Sequence, residues 1–157
     1  MDPNTTQDSF CNRLQNSNTA FLRRREGVIQ LAQIACGFLV VILLISQPHF
    51  RVHGILCLTT EELVLILFAF WATWTTSLIV LASVFSTYSS VFFFNSLYGV
   101  MYHVTAVILY QASTIAIFIT EGKSYQRTQV LVAGVFGQFS SFLYFISSFI
   151  SFRSLTN

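Results

Sequence analysis

Two histidines in a polar stretch of this chain have a spacing that can bind a metal ion, since residues four apart share one face of a helix. They are His49 and His53. However, Pro48 and Gly54 flank them and argue against a helix, and no third ligand lies at a useful spacing. The sequence therefore predicts no metal site here.

Three cysteines offer thiol chemistry, and they are Cys11, Cys36 and Cys57. Their spacing matches neither a CxxC redox pair nor a zinc site. They lie in three different environments, namely a polar N-terminal segment, an apolar run and a loop. We therefore expect no internal disulfide and no bound cofactor. Palmitoylation of Cys11 stays open, with a free thiol as the simpler alternative.

A third candidate for chemistry is His103, which lies inside a long apolar run over residues 95–120 that contains no Asp, Glu, Lys or Arg. A histidine that relays protons in a membrane normally has acidic or basic partners. The other apolar runs of this chain hold no such residues either. We therefore predict a neutral, hydrogen-bonded His103.

The composition of the chain predicts the helices that position these residues. Of the 157 residues, 54% are hydrophobic and only 9% are charged, against about 25% charged in soluble domains. Four apolar runs predict an all-α, four-helix transmembrane bundle over residues 23–153, after a flexible polar segment at 1–22 and before a short tail at 154–157. The net charge of +2 is too small to indicate nucleic-acid binding. The predicted helices cover residues 28–46, 63–85, 95–120 and 130–152.

The basic residues predict the orientation of the bundle. Arg23, Arg24 and Arg25 stand directly before the first apolar run. Such a cluster normally stays in the cytoplasm, and the first helix usually dominates the orientation. With an even number of helices, both termini are expected to be cytoplasmic.

Small and polar residues within the runs are candidates for helix packing. Small residues repeated every four positions let membrane helices approach closely, and polar side chains in hydrocarbon are costly unless they face protein. Gln138 is expected to donate a hydrogen bond to a helix that bears Thr105 or Gln111. The full candidate set is Ala69, Thr73 and Ser77 in the second run, His103, Thr105 and Gln111 in the third, and Ala133, Gly137, Gln138 and Ser141 in the fourth.

The third run resembles the third helix of MARVEL-domain proteins. The resemblance rests on the segment MYHVTAVILY at residues 101–110, followed by Ala112 and Ser113. A short charged loop with Tyr125, Gln126 and Arg127 and a fourth run ending in SFISF at residues 148–152 extend it. The similarity covers roughly Arg23 to Arg153. The myelin-and-lymphocyte protein and plasmolipin group is the closest branch, and the chemokine-like-factor branch is close behind.

The resemblance implies a four-helix integral membrane protein without catalysis or cofactors. Proteins of this kind associate with membrane domains (lipid rafts) rich in cholesterol and sphingolipid. They take part in vesicle trafficking, membrane apposition and myelin-like membrane organisation. By this resemblance we expect a location in the plasma membrane and trafficking vesicles. Membrane lipids would be the main partners, with a homo-oligomer or other membrane proteins as further ones.

A channel, or an accessory subunit of a channel or transporter, is the alternative function. A pore needs polar residues along its lining, and Thr73, Ser77, Gln111 and Gln138 are the available candidates. Ion flux across liposomes distinguishes the two classes. A tetraspanin or a claudin is disfavoured, because the loops are short and the first one, at residues 47–62, contains one cysteine and no Trp.

Overall fold

The computed structural model describes residues 24–46, 59–85, 93, 96–121 and 128–156. The regular structure in these ranges is helical, and each of the four helices is long and apolar enough to cross a membrane. Helices suit this environment because hydrocarbon offers the backbone no other hydrogen-bond partners. The chain is thus an all-α, multi-pass membrane protein. Its helices are α1 at Arg25–Ile45, α2 at Thr60–Phe85, α3 at Leu97–Glu121 and α4 at Thr128–Thr156.

The start of α2 is fixed by a capping box. The Thr59 N–H donates to Glu62 Oε2 at 3.1 Å, and the Glu62 N–H donates to Thr59 Oγ1 at 3.4 Å. These two bonds satisfy backbone donors that have no partner within the first helical turn. The cap explains why α2 begins at Thr60 rather than at the predicted residue 63.

The end of α4 differs from the prediction. The helix continues to Thr156, so the short tail expected at residues 154–157 is helical over most of its length. Neither Pro nor Gly interrupts the chain here. The Thr156 hydroxyl bonds back to the carbonyls of Phe152 at 3.3 Å and Arg153 at 3.1 Å. At the other ends, α1 begins at Arg25 rather than 28 and α3 at Leu97 rather than 95. The predicted flexible segment at 1–22 lies outside the described residues.

The helices pack as a ring in which each contacts the next along the chain, and α1 closes the ring against α4. The interior is made of small residues, tyrosines and a few aliphatic side chains, while leucine, isoleucine, valine and phenylalanine side chains cover the outside. This distribution suits a bundle surrounded by lipid, because lipid tails do not drive apolar side chains inward. The interior residues include Ala69, Ala72, Ala106, Ala133, Tyr102, Tyr110 and Tyr144, and the exposed phenylalanines include Phe38, Phe70, Phe139, Phe142, Phe145 and Phe149.

Candidate functional site: the polar interior and the α3–α4 groove

The structure places most of the predicted packing residues inside the bundle. Ser77 and Gln111 are half-buried, and Gln138 is exposed. Thr105 instead lies on the exposed surface, because it is two residues from the buried His103 and so about 200° away around α3. The buried members of the set are Ala69, Thr73, His103, Ala133, Gly137 and Ser141. Of the topology residues, Arg24 and Arg25 are exposed at the start of α1, and Arg23 lies outside the described residues.

At Gly137, α4 packs tightly against α3. A Cβ atom added there would lie 2.6 Å from Thr114 Cγ2 and 3.6 Å from Leu65 Cδ1. One turn later, the Ser141 hydroxyl donates to the carbonyl oxygen of Val107 at 3.4 Å. A comparable approach that the sequence reasoning missed occurs at Gly37, where an added Cβ would collide with the Thr73 hydroxyl. Its signal was a glycine in the middle of an apolar run.

Three hydroxyl groups join α2, α3 and α4 in a tyrosine cluster, which we define as Thr76, Tyr102 and Tyr144. Thr76 Oγ1 lies 3.0 Å from Tyr102 OH and 2.8 Å from Tyr144 OH. Thr76 also donates to the Ala72 carbonyl at 2.8 Å, and Tyr102 OH lies 3.1 Å from the same oxygen. One turn of α2 therefore binds the hydroxyls of two neighbouring helices.

Aromatic rings fill the space around the tyrosine cluster. The ring centroid of Tyr144 lies 6.1 Å from that of Tyr102 and 5.8 Å from that of Tyr110. His103 is fully buried, with its ring 5.9 Å from Tyr144 and 5.9 Å from Phe93. Sequence reasoning missed the tyrosines. The available signal was that Tyr102, Ala106 and Tyr110 recur every four residues, which places them on one face of α3.

A separate polar contact joins α1 to α4. Gln33 Nε2 donates to Ser147 Oγ at 2.9 Å in the bundle interior. Gln30 lies one turn earlier on the same face and is also fully buried. The side-chain amides of both glutamines thus face protein rather than lipid. The hydrogen bond of Gln33 fixes the register between the antiparallel helices α1 and α4.

Gln138 makes the contact that the sequence predicted with Gln111. Its Nε2 donates to Gln111 Oε1 at 3.1 Å, and its Oε1 accepts from the Thr114 hydroxyl at 3.0 Å. These groups lie in a surface groove between α3 and α4 with a volume of about 490 Å³. We call it the α3–α4 groove. Its other walls include Val107, Phe118, Phe139 and Phe142.

Two further features of the described residues concern metal ligands and thiols. No group of three or more His, Cys, Asp or Glu side chains in the described ranges could hold a metal ion. Cys36 is a buried free thiol. Most of the interior polar groups described above bond to side chains or carbonyls of neighbouring helices, which is a packing role. Comparison with protein-family models, curated proteins and solved structures found no match to this chain.

Proposed function

We propose that this chain is a non-enzymatic, MARVEL-like membrane protein that organises membrane domains rich in cholesterol and sphingolipid. In this role it takes part in vesicle trafficking, membrane apposition or myelin-like membrane organisation at the plasma membrane and in vesicles. The observation that carries the proposal is the division of its side chains. Hydroxyls and amides join the helices inside, and large apolar side chains, among them several phenylalanines, cover the outside. The lipid-facing surface is then the part of the molecule that acts.

The interior supports the family resemblance on which the proposal rests. Five residues of the resembling segment are buried at helix contacts rather than directed outward. Because the residues of this segment lie at contacts between helices, proteins that have the same segment would be expected to pack their four helices in the same way. The five residues are Tyr102, His103, Ala106, Tyr110 and Ser113.

Helix length gives a second, independent argument. The helices α1 to α4 have 21, 26, 25 and 29 residues, which correspond to about 32, 39, 38 and 44 Å at 1.5 Å per residue. The sterol-rich plasma membrane has a hydrocarbon core of about 32–33 Å, whereas that of the endoplasmic reticulum is about 27 Å. Long helices fit the thicker membrane with less tilt, which favours residence there.

The channel alternative receives less support from the positions of its candidate lining residues. Thr73 is buried at the contact between α1 and α2. Gln111 and Gln138 lie in a groove on the outer surface of the bundle, and the Ser77 hydroxyl bonds to the carbonyl of Thr73 in its own helix. The four residues thus do not line one common path.

We expect the protein to be enriched in the liquid-ordered phase of plasma-membrane vesicles. The physical reason is that this phase is thicker and leaves less hydrophobic mismatch around long helices. The measurement is the ratio of fluorescence of the labelled protein in ordered and disordered phases. As a control, synthetic vesicles with acyl chains of different length vary the thickness difference between the phases, and the preference should rise with that difference. Exclusion from the ordered phase in every composition would contradict the proposed function.

We also expect both termini to be cytoplasmic, because of the arginine cluster before α1. Asn4, Thr5 and Thr6 form a glycosylation sequon outside the described residues. The wild-type chain should carry no glycan on Asn4. Changing the arginines at positions 23–25 to Glu should scramble the orientation and make part of the population sensitive to endoglycosidase.

The matched control for this experiment is Asn4→Gln in the triple-Glu variant, which should abolish the mobility shift. A glycan on Asn4 in the wild-type chain would show that the N-terminus is outside. It would reverse the assignment of the two membrane faces without affecting the bundle itself.

A further inference from the structure

The α3–α4 groove exposes amide groups to the lipid at a depth where lipid offers no hydrogen bonds. Gln111 lies two residues from the centre of the 25-residue helix α3, or about 3 Å along its axis. Gln138 is bonded to it and so lies at the same depth. The hydrocarbon core is about 30 Å thick. These amides therefore lie roughly 12 Å or more from either layer of headgroups.

Part of the hydrogen-bonding capacity of the two amides is unused within one copy of the chain. An amide side chain has two N–H donors and one acceptor oxygen. Gln138 uses one N–H toward Gln111 and its oxygen toward Thr114. In the described part of the chain, the second N–H of Gln138 and both of Gln111 have no partner. Unpaired polar groups in hydrocarbon are costly, so an occupant with its own polar group at this depth is favoured.

A second copy of this chain meets that requirement by symmetry. All copies cross the membrane in the same orientation, so a two-fold axis along the membrane normal brings each residue to its own depth in the partner. Amides would then meet amides, and an amide is both donor and acceptor. A phospholipid headgroup would be confined to the membrane surface. Phe139 and Phe142 border the groove and project outward, so that each copy also offers rings to fill the groove of the other.

We propose that two copies of this chain associate through the α3–α4 groove, with Gln111 and Gln138 hydrogen-bonded across the two-fold interface. This association does not depend on the proposed function, because a lipid-organising protein and a channel subunit could each form it. It would give the molecule a paired lipid-facing surface, with α1 and α2 on the outside of the dimer.

The test is Förster transfer between labelled copies in liposomes at decreasing protein-to-lipid ratio. An interhelical hydrogen bond in a membrane contributes about 0.6 kcal/mol, which is about threefold in a dissociation constant. The double variant with Gln111→Leu and Gln138→Leu loses two such bonds and should weaken association roughly eightfold. Phe142→Ala should also weaken it, whereas Phe38→Ala should not. The two phenylalanine variants form a matched pair, since the Phe142 side chain is 57% exposed and the Phe38 side chain 59% exposed. They differ in position, because Phe38 lies on α1, away from the groove.

Loss of transfer must be separated from loss of fold, so the thermal stability of each variant is measured alongside. A second readout leaves the groove polar groups intact: in a chain without native cysteines, Phe139→Cys should form an oxidative crosslink in native membranes and Phe38→Cys should not. A monomeric wild-type chain at every lipid ratio would overturn the proposal. Equal effects of Phe142→Ala and Phe38→Ala would also overturn it, as would a lipid retained stoichiometrically in the groove.

Discussion

Replacing Gly137 by leucine is expected to disrupt folding and surface delivery, while replacing its neighbour Gln138 by leucine is expected to leave both largely intact. Even the first carbon of a side chain at position 137 would lie 2.6 Å from Thr114 Cγ2 and 3.8 Å from Tyr110 Cδ1. The neighbours of that position belong to two other helices, since Thr114 and Tyr110 lie on α3 and Leu65 lies on α2. A leucine could be accommodated only if the helices moved apart.

The expected difference follows from the sizes of the two effects. Overpacking a tight interior costs about 1–3 kcal/mol and occasionally more, and a leucine adds three carbons beyond the one that already clashes. Gln138→Leu removes two side-chain hydrogen bonds, each worth about 0.6 kcal/mol on average in membranes. It also puts an apolar side chain at a position that is exposed within one copy of the chain. The steric effect should therefore be the larger of the two.

A matched pair of alanine substitutions isolates the steric effect. Gly134 lies one turn before Gly137 on the same helix, and a Cβ there would meet only the ring edge of Phe118, at 3.2 Å, and Ile117 at 3.6 Å. Phe118 is partly exposed and can turn outward. Both substitutions gain the same helix propensity, about 1 kcal/mol. We therefore expect Gly134→Ala to be neutral or stabilising and Gly137→Ala to be destabilising.

The pair of leucine variants and the pair of alanine variants are each compared by their thermal unfolding in detergent and by their level of surface expression. If Gln138→Leu proves as harmful as Gly137→Leu, the hydrogen bonds rather than the close contact hold α3 to α4. If Gly137→Leu is tolerated, position 137 faces the lipid and the interior has been assigned to the wrong side of α4.

The number of helices could be predicted from the sequence because hydrocarbon leaves the backbone few choices. Apolar runs long enough to cross the membrane have to close their own hydrogen bonds, and a helix does so. The ends were less predictable to the residue, although the threonine and glutamate residues at positions 59–62 are a sequence signal for the start of α2, where Thr59 and Glu62 form its cap. The continuation of α4 to Thr156 had no apolar signal, because that last turn extends beyond the run of hydrophobic residues.

The inward face of each helix was harder to predict, because lipid is as apolar as the interior and hydrophobicity does not separate the two. Small residues gave the better signal, as Ala133, Gly137 and Ser141 all lie inside. The polarity of a residue alone did not identify the inward face, since Thr105 is polar but lies on the exposed surface. Trp74 lies near the middle of the second apolar run, yet it is 60% exposed and stacks on Phe70 at the surface.

Replacing Tyr144 by alanine is the second change that we expect to be severe. Tyr144 is 1% exposed, and its ring contacts those of Tyr102, Tyr110 and His103. Its removal would leave a cavity where three helices meet. Truncating a buried aromatic residue costs about 3–5 kcal/mol. The lower end applies here, because in the unfolded chain the ring would lie in lipid rather than in water.

Two control variants separate the contributions to this loss. Tyr144→Phe keeps the ring and removes only the hydroxyl, which contacts Thr76 Oγ1 and, at 3.4 Å, the Ala72 carbonyl. Tyr102 still reaches both of these groups. The expected cost of Tyr144→Phe is about 0.6 kcal/mol, the average for such a bond in a membrane. Phe38→Ala removes a ring of nearly the same size from the outside of α1, where the side chain is 59% exposed and lies away from the α3–α4 groove. Lipid tails can fill the space that it leaves, so its effect should be close to zero.

The measurement is the free energy of unfolding from titration with a denaturing detergent in mixed micelles, for all three variants against the wild-type chain. Packing predicts that Tyr144→Ala loses several times more stability than Tyr144→Phe, because the ring contacts three neighbours and the hydroxyl makes a replaceable bond. If the two variants lose the same amount, the hydrogen bonds of the tyrosine cluster hold the bundle together. If Phe38→Ala is as harmful as Tyr144→Ala, position 38 is covered by protein, and the lipid-facing surface of α1 lies elsewhere.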